Sequence, residues 1–411
     1  QSPNKDLSLY IHIPFCHSLC YYCGCNKVVT RHRDKADIYL DYLVNEINAR
    51  APLFSDHTVT QIHLGGGTPS FLTNEQLTRL VDNIRQSFNV AYDVEQSIEV
   101  DPREIELGLA DHLYSLGFNR LSIGVQDIDG KVQQAINRVQ STDFVAQFIA
   151  HAKQVGFSSV NIDLIYGLPH QTSDTFARTL AKAYEMDVDR ISLFSYAHLP
   201  NRFAAQRKLR DEWLPSAPEK FALMKQAVET LCAYGYELIG MDHFALPEDE
   251  LTRAKLNGTL QRNFQGYSTH ADTDLIGFGM TSIGKINDCF IQNQTSEEAY
   301  FSSIDNGGLA VSRGYRLSKD DCIRRDIIQS LMCQNRLAIN DISERYQINF
   351  FEYFANELTA LFPMVEDKLV SFNIDEIRVT LAGQLLLRNI AMVFDAYIKP
   401  VNNQVIFSKT I

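Results

Sequence analysis

Four cysteines fall within ten residues, in the run Cys16-His17-Ser18-Leu19-Cys20-Tyr21-Tyr22-Cys23-Gly24-Cys25. Thiolates at the spacing of Cys16, Cys20 and Cys23 can wrap a tight loop around one cubic iron–sulfur cluster and leave its fourth iron without a protein ligand. An open iron is a place for chemistry. A structural zinc would instead ask for paired Cys-x2-Cys knuckles far apart in sequence and four closed ligands. A disulfide framework belongs to short secreted chains with regular spacing. The other cysteines, Cys232, Cys289, Cys322 and Cys333, are scattered and read as core residues on amphipathic helices or turns. A second signal is Gly65-Gly66-Gly67-Thr68-Pro69, where the lack of side chains would let backbone polar groups approach a ligand closely.

These residues need elements to hold them. Strand candidates run over 7–13, 60–65, 97–102, 120–126, 159–167 and 190–198. Between them, apolar residues at helical spacing predict helices at 37–50, 74–88, 142–157 and 173–186. Strand and helix alternating in this way predict βαβ units on a parallel sheet, with ligands at the C-terminal ends of the strands. Cys16, Gly65 to Thr68, Asp101, Gln126, Gly167 and His198 stand there. The expected fold class is α/β: a partial (βα)6-type parallel barrel with a mostly helical, winged-helix-like C-terminal domain. The barrel domain would occupy 1–316, with a covering insertion from about 199, and a helical lid would occupy 317–411. In the latter, Ser318 is placed to cap a helix with Asp321 three residues on. Further helices follow, then a hairpin over 369–380 and a last helix over 384–398.

The 411-residue chain is 45% apolar and 21% charged, which suits a packed globular protein. Lys plus Arg is 38 against 50 for Asp plus Glu, so the net charge is −12, which disfavours nucleic acid or an anionic membrane as the main partner. From Asp320 to Ile411, nine Lys and Arg face twelve Asp and Glu, against a DNA-binding role for the C-terminal domain. Neither a membrane span nor a signal peptide is expected, and the reading is cytoplasmic.

The cysteine run directly after the first strand, with Gly-Gly-Gly-Thr-Pro after the second, resembles the radical S-adenosylmethionine superfamily. Local detail over SIEVDPREI, GFNRLSIGVQD, NIDLIYGLPHQT, GMDHFALPEDE and RNFQGYST narrows this. From Leu7 onward the chain is similar to the oxygen-independent coproporphyrinogen III oxidase family, whose related haem-binding chaperones usually carry an aromatic where Cys25 stands. Family members normally carry several tens of residues before the first strand, and any role of that segment is not readable here.

The resemblance implies that Cys16, Cys20 and Cys23 hold a [4Fe-4S] cluster whose open iron is chelated by S-adenosylmethionine. Tyr10, Tyr22, Gly66, Glu99 and Ile283 would contact that molecule. Gly67, Thr68, Gln126, Arg138, Asp163 and Ala197 would line a second S-adenosylmethionine, and Cys25 would act at the site. A 5′-deoxyadenosyl radical would take hydrogen from two propionates of coproporphyrinogen III, which lose CO2 to give the vinyl groups of protoporphyrinogen IX. The implied partners are coproporphyrinogen III and a flavodoxin- or ferredoxin-type electron donor, with a monomer as the default. Alternatives are a haem-binding chaperone on the same scaffold and a radical methylase or ring-opening enzyme of haem degradation. For the four propionates, Arg202, Arg207, Lys208, Arg210 and Arg262 are candidates, a solvated helix face being the equal alternative for Arg207, Lys208 and Arg210. His12 reads as a satisfied strand histidine.

Overall fold

The computed structural model describes residues 5–270 and 273–398, which divide into two compact units. The first comprises Gln1–Glu219 and Asp272–Arg316, the second Lys220–Ala271 and Leu317–Ile411. Residues 220–271, expected in the covering insertion of the first domain, thus group with the C-terminal unit.

In the first unit, six strands alternate with helices as the sequence pattern predicts: β1 (Lys5–Ile13), β2 (His57–Gly66), β3 (Val90–Val100), β4 (Arg120–Gln126), β5 (Ser159–Tyr166) and β6 (Arg190–Ser195). They pair in parallel in that order. β7 (Asp274–Phe278) adds a parallel partner on the other side of β1. Beyond it β8 (Ile283–Ile286), β9 (Cys289–Asn293) and β10 (Val311–Arg316) are antiparallel. Leu7, Leu9, Ile11 and Ile13 of β1 are fully buried, as are Ile162 and Leu164 of β5. Burial of both faces is what parallel strands covered by helices require.

Local sequence sets the helix starts. α1 (Asp34–Arg50) begins three residues before the expected position. Thr73 and Gln76 form a capping box at α2 (Asn74–Ser87), followed by α3 (Gly108–Ser115). Ser141 caps α4 (Thr142–Val155), and Thr172 with Thr175 caps α5 (Ser173–Glu185). Each cap satisfies donors that the first helical turn leaves free. A further helix, α6 (Glu297–Asp305), follows β9.

In the second unit the expected box of Ser318 and Asp321 opens α7 (Lys319–Gln334). Its core gathers Ile323, Ile327 and Leu331 with Phe350, Phe354, Ile377 and Phe394. The expected hairpin is present as 370–372 paired with 376–379, and 336–338 joins it as a third strand. The single last helix expected over 384–398 is instead two short helices, Leu381–Gln384 and Leu387–Met392. Of the scattered cysteines only Cys333 is a core residue. Cys232 is exposed, while Cys289 and Cys322 are half-buried, because each lies on a partly solvated face.

Candidate active site

β1 delivers the chain into the cysteine loop, and the loop is closed on itself. Phe15–Cys16 pairs with Val28–Val29, and the Thr30 N–H donates to the Cys16 carbonyl at 3.0 Å. Neighbouring segments then fix its interior. Tyr21 N–H donates to the Ile136 carbonyl at 2.9 Å, and Asn137 Nδ2 donates to the Leu19 carbonyl at 2.8 Å. Gln206 Nε2 donates to the Tyr22 carbonyl at 2.9 Å. A loop so tied has little freedom left to misplace its sulfurs.

Cys16, Cys20, Cys23 and Cys25 line one cavity of about 340 Å³ at the C-terminal ends of the parallel strands. Among the described residues, no three His, Cys, Asp or Glu side chains converge closely enough to hold a single metal ion. The Cys16, Cys20 and Cys23 thiols share one hollow, as the corners of a cubic cluster require. Burial pushes the Cys16 thiol up to about 11, so this site favours a bound cation to make its sulfur a thiolate. The Cys23 thiol is held down to about 6, chiefly by its hydrogen bond with the Cys25 thiol, with Lys27 adding to it. Cys25 is the proton-holding partner of that pair, its thiol pushed well up. Cys25 stands at the loop's exposed rim.

Opposite the cysteines, β2 ends in the glycine cradle. Gly66 has φ of +124°, a conformation glycine adopts without strain. A Cβ on Gly67 would stand 2.5 Å from the Pro14 carbonyl oxygen, so only glycine lets these segments meet. Glu99 Oε2 accepts from Gly66 N–H at 3.1 Å and Oε1 lies 3.3 Å from His63 Nε2. With its side chain 41% exposed, the carboxylate keeps capacity for a ligand's donors. Thr68 Oγ1 lies 3.7 Å from Cys16 Sγ.

The third wall comes from β4 and β5. Gln126 closes β4 with φ of +67°, strained for a residue with a Cβ, beside a register shift against β5. Arg138 is buried; its Nη2 donates to the Gly124 carbonyl at 2.6 Å and its Nη1 to Asp101 Oδ2 at 3.1 Å. Its Nε has no hydrogen-bond partner among the described residues. Asp163 accepts from Asn161 Nδ2 at 2.9 Å.

The cavity therefore brings together Tyr22, Gly66, Gly67, Thr68, Glu99, Gln126, Arg138 and Asp163 with the four cysteines. Tyr10, Ala197 and Ile283 lie off its lining. Tyr10 stacks on His63 at 5.9 Å, and the Ala197 carbonyl accepts from Gln206 Nε2 at 3.0 Å. Ile283 sits on β8 opposite Gln292. His12 is partnered in part: Nδ1 meets Tyr10 OH at 3.0 Å, Nε2 has no hydrogen-bond partner among the described residues, and burial lowers the ring's pKa to about 4. Arg202, Arg207, Lys208 and Arg210 are exposed. Lys208 rests over Tyr21 and Arg210 over Trp213. Arg262 lies in the second unit over Tyr267, its Nε unpartnered.

Sequence reasoning placed Asp101 at a ligand-facing strand end without a specific role, and gave none to Arg103 or Gln206. The Asp-Pro-Arg at the end of β3 carried the signal for the first two, an acid and a base at the ligand-binding end of a parallel strand. Nothing in the local pattern marks Gln206.

The parallel sheet and cysteine-lined cavity match known proteins. Residues 10–183 match the Radical SAM superfamily and residues 317–386 the HemN C-terminal domain. Fold and site thus define a radical S-adenosylmethionine enzyme, a class that works with a [4Fe-4S] cluster and S-adenosylmethionine. Over 409 residues the chain is 51% identical to the oxygen-independent coproporphyrinogen III oxidase of Salmonella typhimurium, covering all of this chain and 90% of that one. The Pseudomonas aeruginosa relative of the same name is 45% identical, over 97% of this chain and 87% of its own. The solved coproporphyrinogen III oxidase of Escherichia coli, described as a radical SAM enzyme, superposes with a TM-score of 0.94 at 52% identity, covering 96% of this chain and 91% of that one. The chain belongs to the oxygen-independent coproporphyrinogen III oxidase family.

Proposed function

We infer that this chain converts coproporphyrinogen III to protoporphyrinogen IX without oxygen, by oxidative decarboxylation of two propionates to vinyl groups. The observation that carries the reading is the meeting of Cys16, Cys20 and Cys23 with Gly66, Gly67 and Thr68 around one cavity. The relatives bear the oxidase name along the whole chain, which does not favour the haem-carrier alternative.

When bound, the cluster and S-adenosylmethionine supply a carbon radical that takes a hydrogen atom from substrate. The protein's part is to bind, orient and exclude water. Cys16, Cys20 and Cys23 would hold the cluster, with the buried backs of Cys16 and Cys20 keeping water from it. Gly66 and Glu99 offer acceptors for an ammonium or ribose hydroxyl, with Tyr10, Tyr22 and Ile283 assigned to the same molecule by family pattern. Gln126, Arg138 and Asp163, with Gly67, Thr68 and Ala197, are the proposed binding set for a second S-adenosylmethionine. Arg138, which lines this cavity, is the proposed partner for a carboxylate there. Cys25, which lines the same cavity, is the proposed group that acts on substrate. A flavodoxin- or ferredoxin-type protein is the proposed electron source. The partial barrel of the first unit and a winged-helix-like C-terminal domain belong to the same proposal.

Anaerobic turnover of reconstituted protein with S-adenosylmethionine, a reductant and coproporphyrinogen III tests this, following 5′-deoxyadenosine and protoporphyrinogen. Both products should form in the wild type, with protoporphyrinogen lost in Cys25→Ser. Formation of 5′-deoxyadenosine with no vinyl product would mean a different substrate.

A further inference from the structure

Cys20 is approached by two guanidinium groups. Arg103 Nη2 donates to its sulfur at 3.4 Å and Arg138 Nη1 at 3.5 Å. Asp101 holds both arginines: Oδ2 accepts from Arg138 Nη1 at 3.1 Å and from Arg103 Nη2 at 2.5 Å, while Oδ1 accepts from Arg103 Nε at 2.9 Å. The turn Pro102–Glu104 sets the direction. Asp101 caps it by accepting from the Arg103 N–H at 3.1 Å, and Pro102 fixes the backbone at its start. Arg103 Nη1 reaches the Asn137 carbonyl at 3.4 Å, and Asn137 in turn holds the Leu19 carbonyl at 2.8 Å. Arg103 is therefore strapped between strand end, cysteine loop and sulfur, with its side chain only 12% exposed.

We propose that Arg103, aimed by Asp101, is a positioning residue that sets the reduction potential of the cluster held by Cys16, Cys20 and Cys23. This rests on the reading of Cys20 as a cluster ligand. Three thiolates and Asp101 gather negative charge in a poorly screened hollow, and one further electron adds to it. A donor on the sulfur and a guanidinium beside it both stabilise the more negative, reduced cluster, so together they raise its potential. Arginine suits the task because one rigid fork grips the carboxylate and still presents a donor to sulfur.

The test is an anaerobic redox titration of reconstituted wild type, Arg103→Gln, Arg103→Lys and Arg103→Met with dithionite. The reduced cluster is followed by electron paramagnetic resonance and iron is counted in each. At the poise where the wild-type cluster is half reduced, Arg103→Met should show a reduced-to-oxidised ratio lower on the order of tenfold. Arg103→Gln, which keeps a donor without charge, and Arg103→Lys, which keeps charge without the fork, should fall between. Equal potentials in all four proteins would overturn the proposal. Loss of iron from all three variants would overturn it too, making Arg103 a strut of the loop. A wild type that holds no cluster would overturn the assignment of Cys20 itself.

Discussion

Glu46 and Arg50 make one buried ion pair of the first unit, Asp101 with Arg103 and Arg138 another, and they differ in where their spare hydrogen-bonding capacity points. Around Glu46 everything is taken by protein. Oε1 accepts from Arg50 Nη1 at 2.8 Å and Asn293 Nδ2 at 2.7 Å, and Oε2 from Gly279 N–H at 2.8 Å and Tyr300 OH at 2.7 Å. Arg50 also donates to the Gly277 carbonyl and lies over Phe278. This pair ties α1 to β7, β9 and α6. Around Asp101 the same chemical groups leave Arg138 Nε without a partner among the described residues, and two donors end on a thiol. Leaving a buried polar group unpaired is costly to folding, so among the described residues the Glu46 cage is the better satisfied of the two.

The comparison breaks most visibly under two substitutions. Cys20→Ser should take turnover to background and remove the cluster's absorbance, while far-ultraviolet circular dichroism stays that of the wild type. Glu46→Ala should do the reverse. Removing one partner of a fully buried pair strands Arg50, at a cost of about 3–5 kcal/mol, read as a lower urea midpoint. The protein that remains folded should still take up cluster. If Glu46→Ala instead abolished cluster uptake in folded protein, the two regions would not be separable.

Legibility in the sequence follows the same division. Strand and helix positions of the first unit were readable because hydrophobic period is a local signal. The site's thiols and glycines were readable because chemistry dictates their types and spacing. The arms that hold them were not. Glu46 looks like any acid on an exposed helix face, and its four partners come from segments more than two hundred residues away, or from its own helix in the case of Arg50. Arg103 and Gln206 act through contacts to the cysteine loop made only on folding. The grouping of residues 220–271 with the C-terminal unit was equally invisible, since it depends on Ile239 and Leu260 packing with Cys333.

Acid sharpens the comparison. Burial alone would raise the Asp101 carboxyl, but the charges of Arg138 and Arg103 outweigh it and hold the group at about 2. An unfolded aspartate titrates at about 3.9. The depressed folded value means that the ionised pair stabilises the fold above pH ~4, and that this contribution is lost as pH falls through about 2. Wild type should therefore exceed Asp101→Asn by about 2 kcal/mol in apoprotein urea unfolding at pH 5, with the gap closing toward pH 2. A gap that stayed constant with pH would mean that Asp101 contributes through shape rather than charge.

Tyr300→Phe gives the smallest effect and the finest cut. It removes one hydroxyl from the Glu46 cage at 2.7 Å, in a side chain that is fully buried. The carboxylate keeps Gly279 N–H on the same oxygen and two donors on the other, so no charge is left bare. The expected loss is about 1 kcal/mol, seen as a small drop in the urea midpoint. Because Tyr39 OH links this region to the His12 carbonyl at 2.8 Å and accepts from Met280 N–H at 3.0 Å, a strained cage could pass its disturbance to β1 and the cysteine loop. Cluster potential and turnover in Tyr300→Phe report on that directly. Unchanged values alongside the lowered midpoint would show that the Glu46 pair supports the fold and nothing more, whereas a shifted potential would join the two buried clusters into one device.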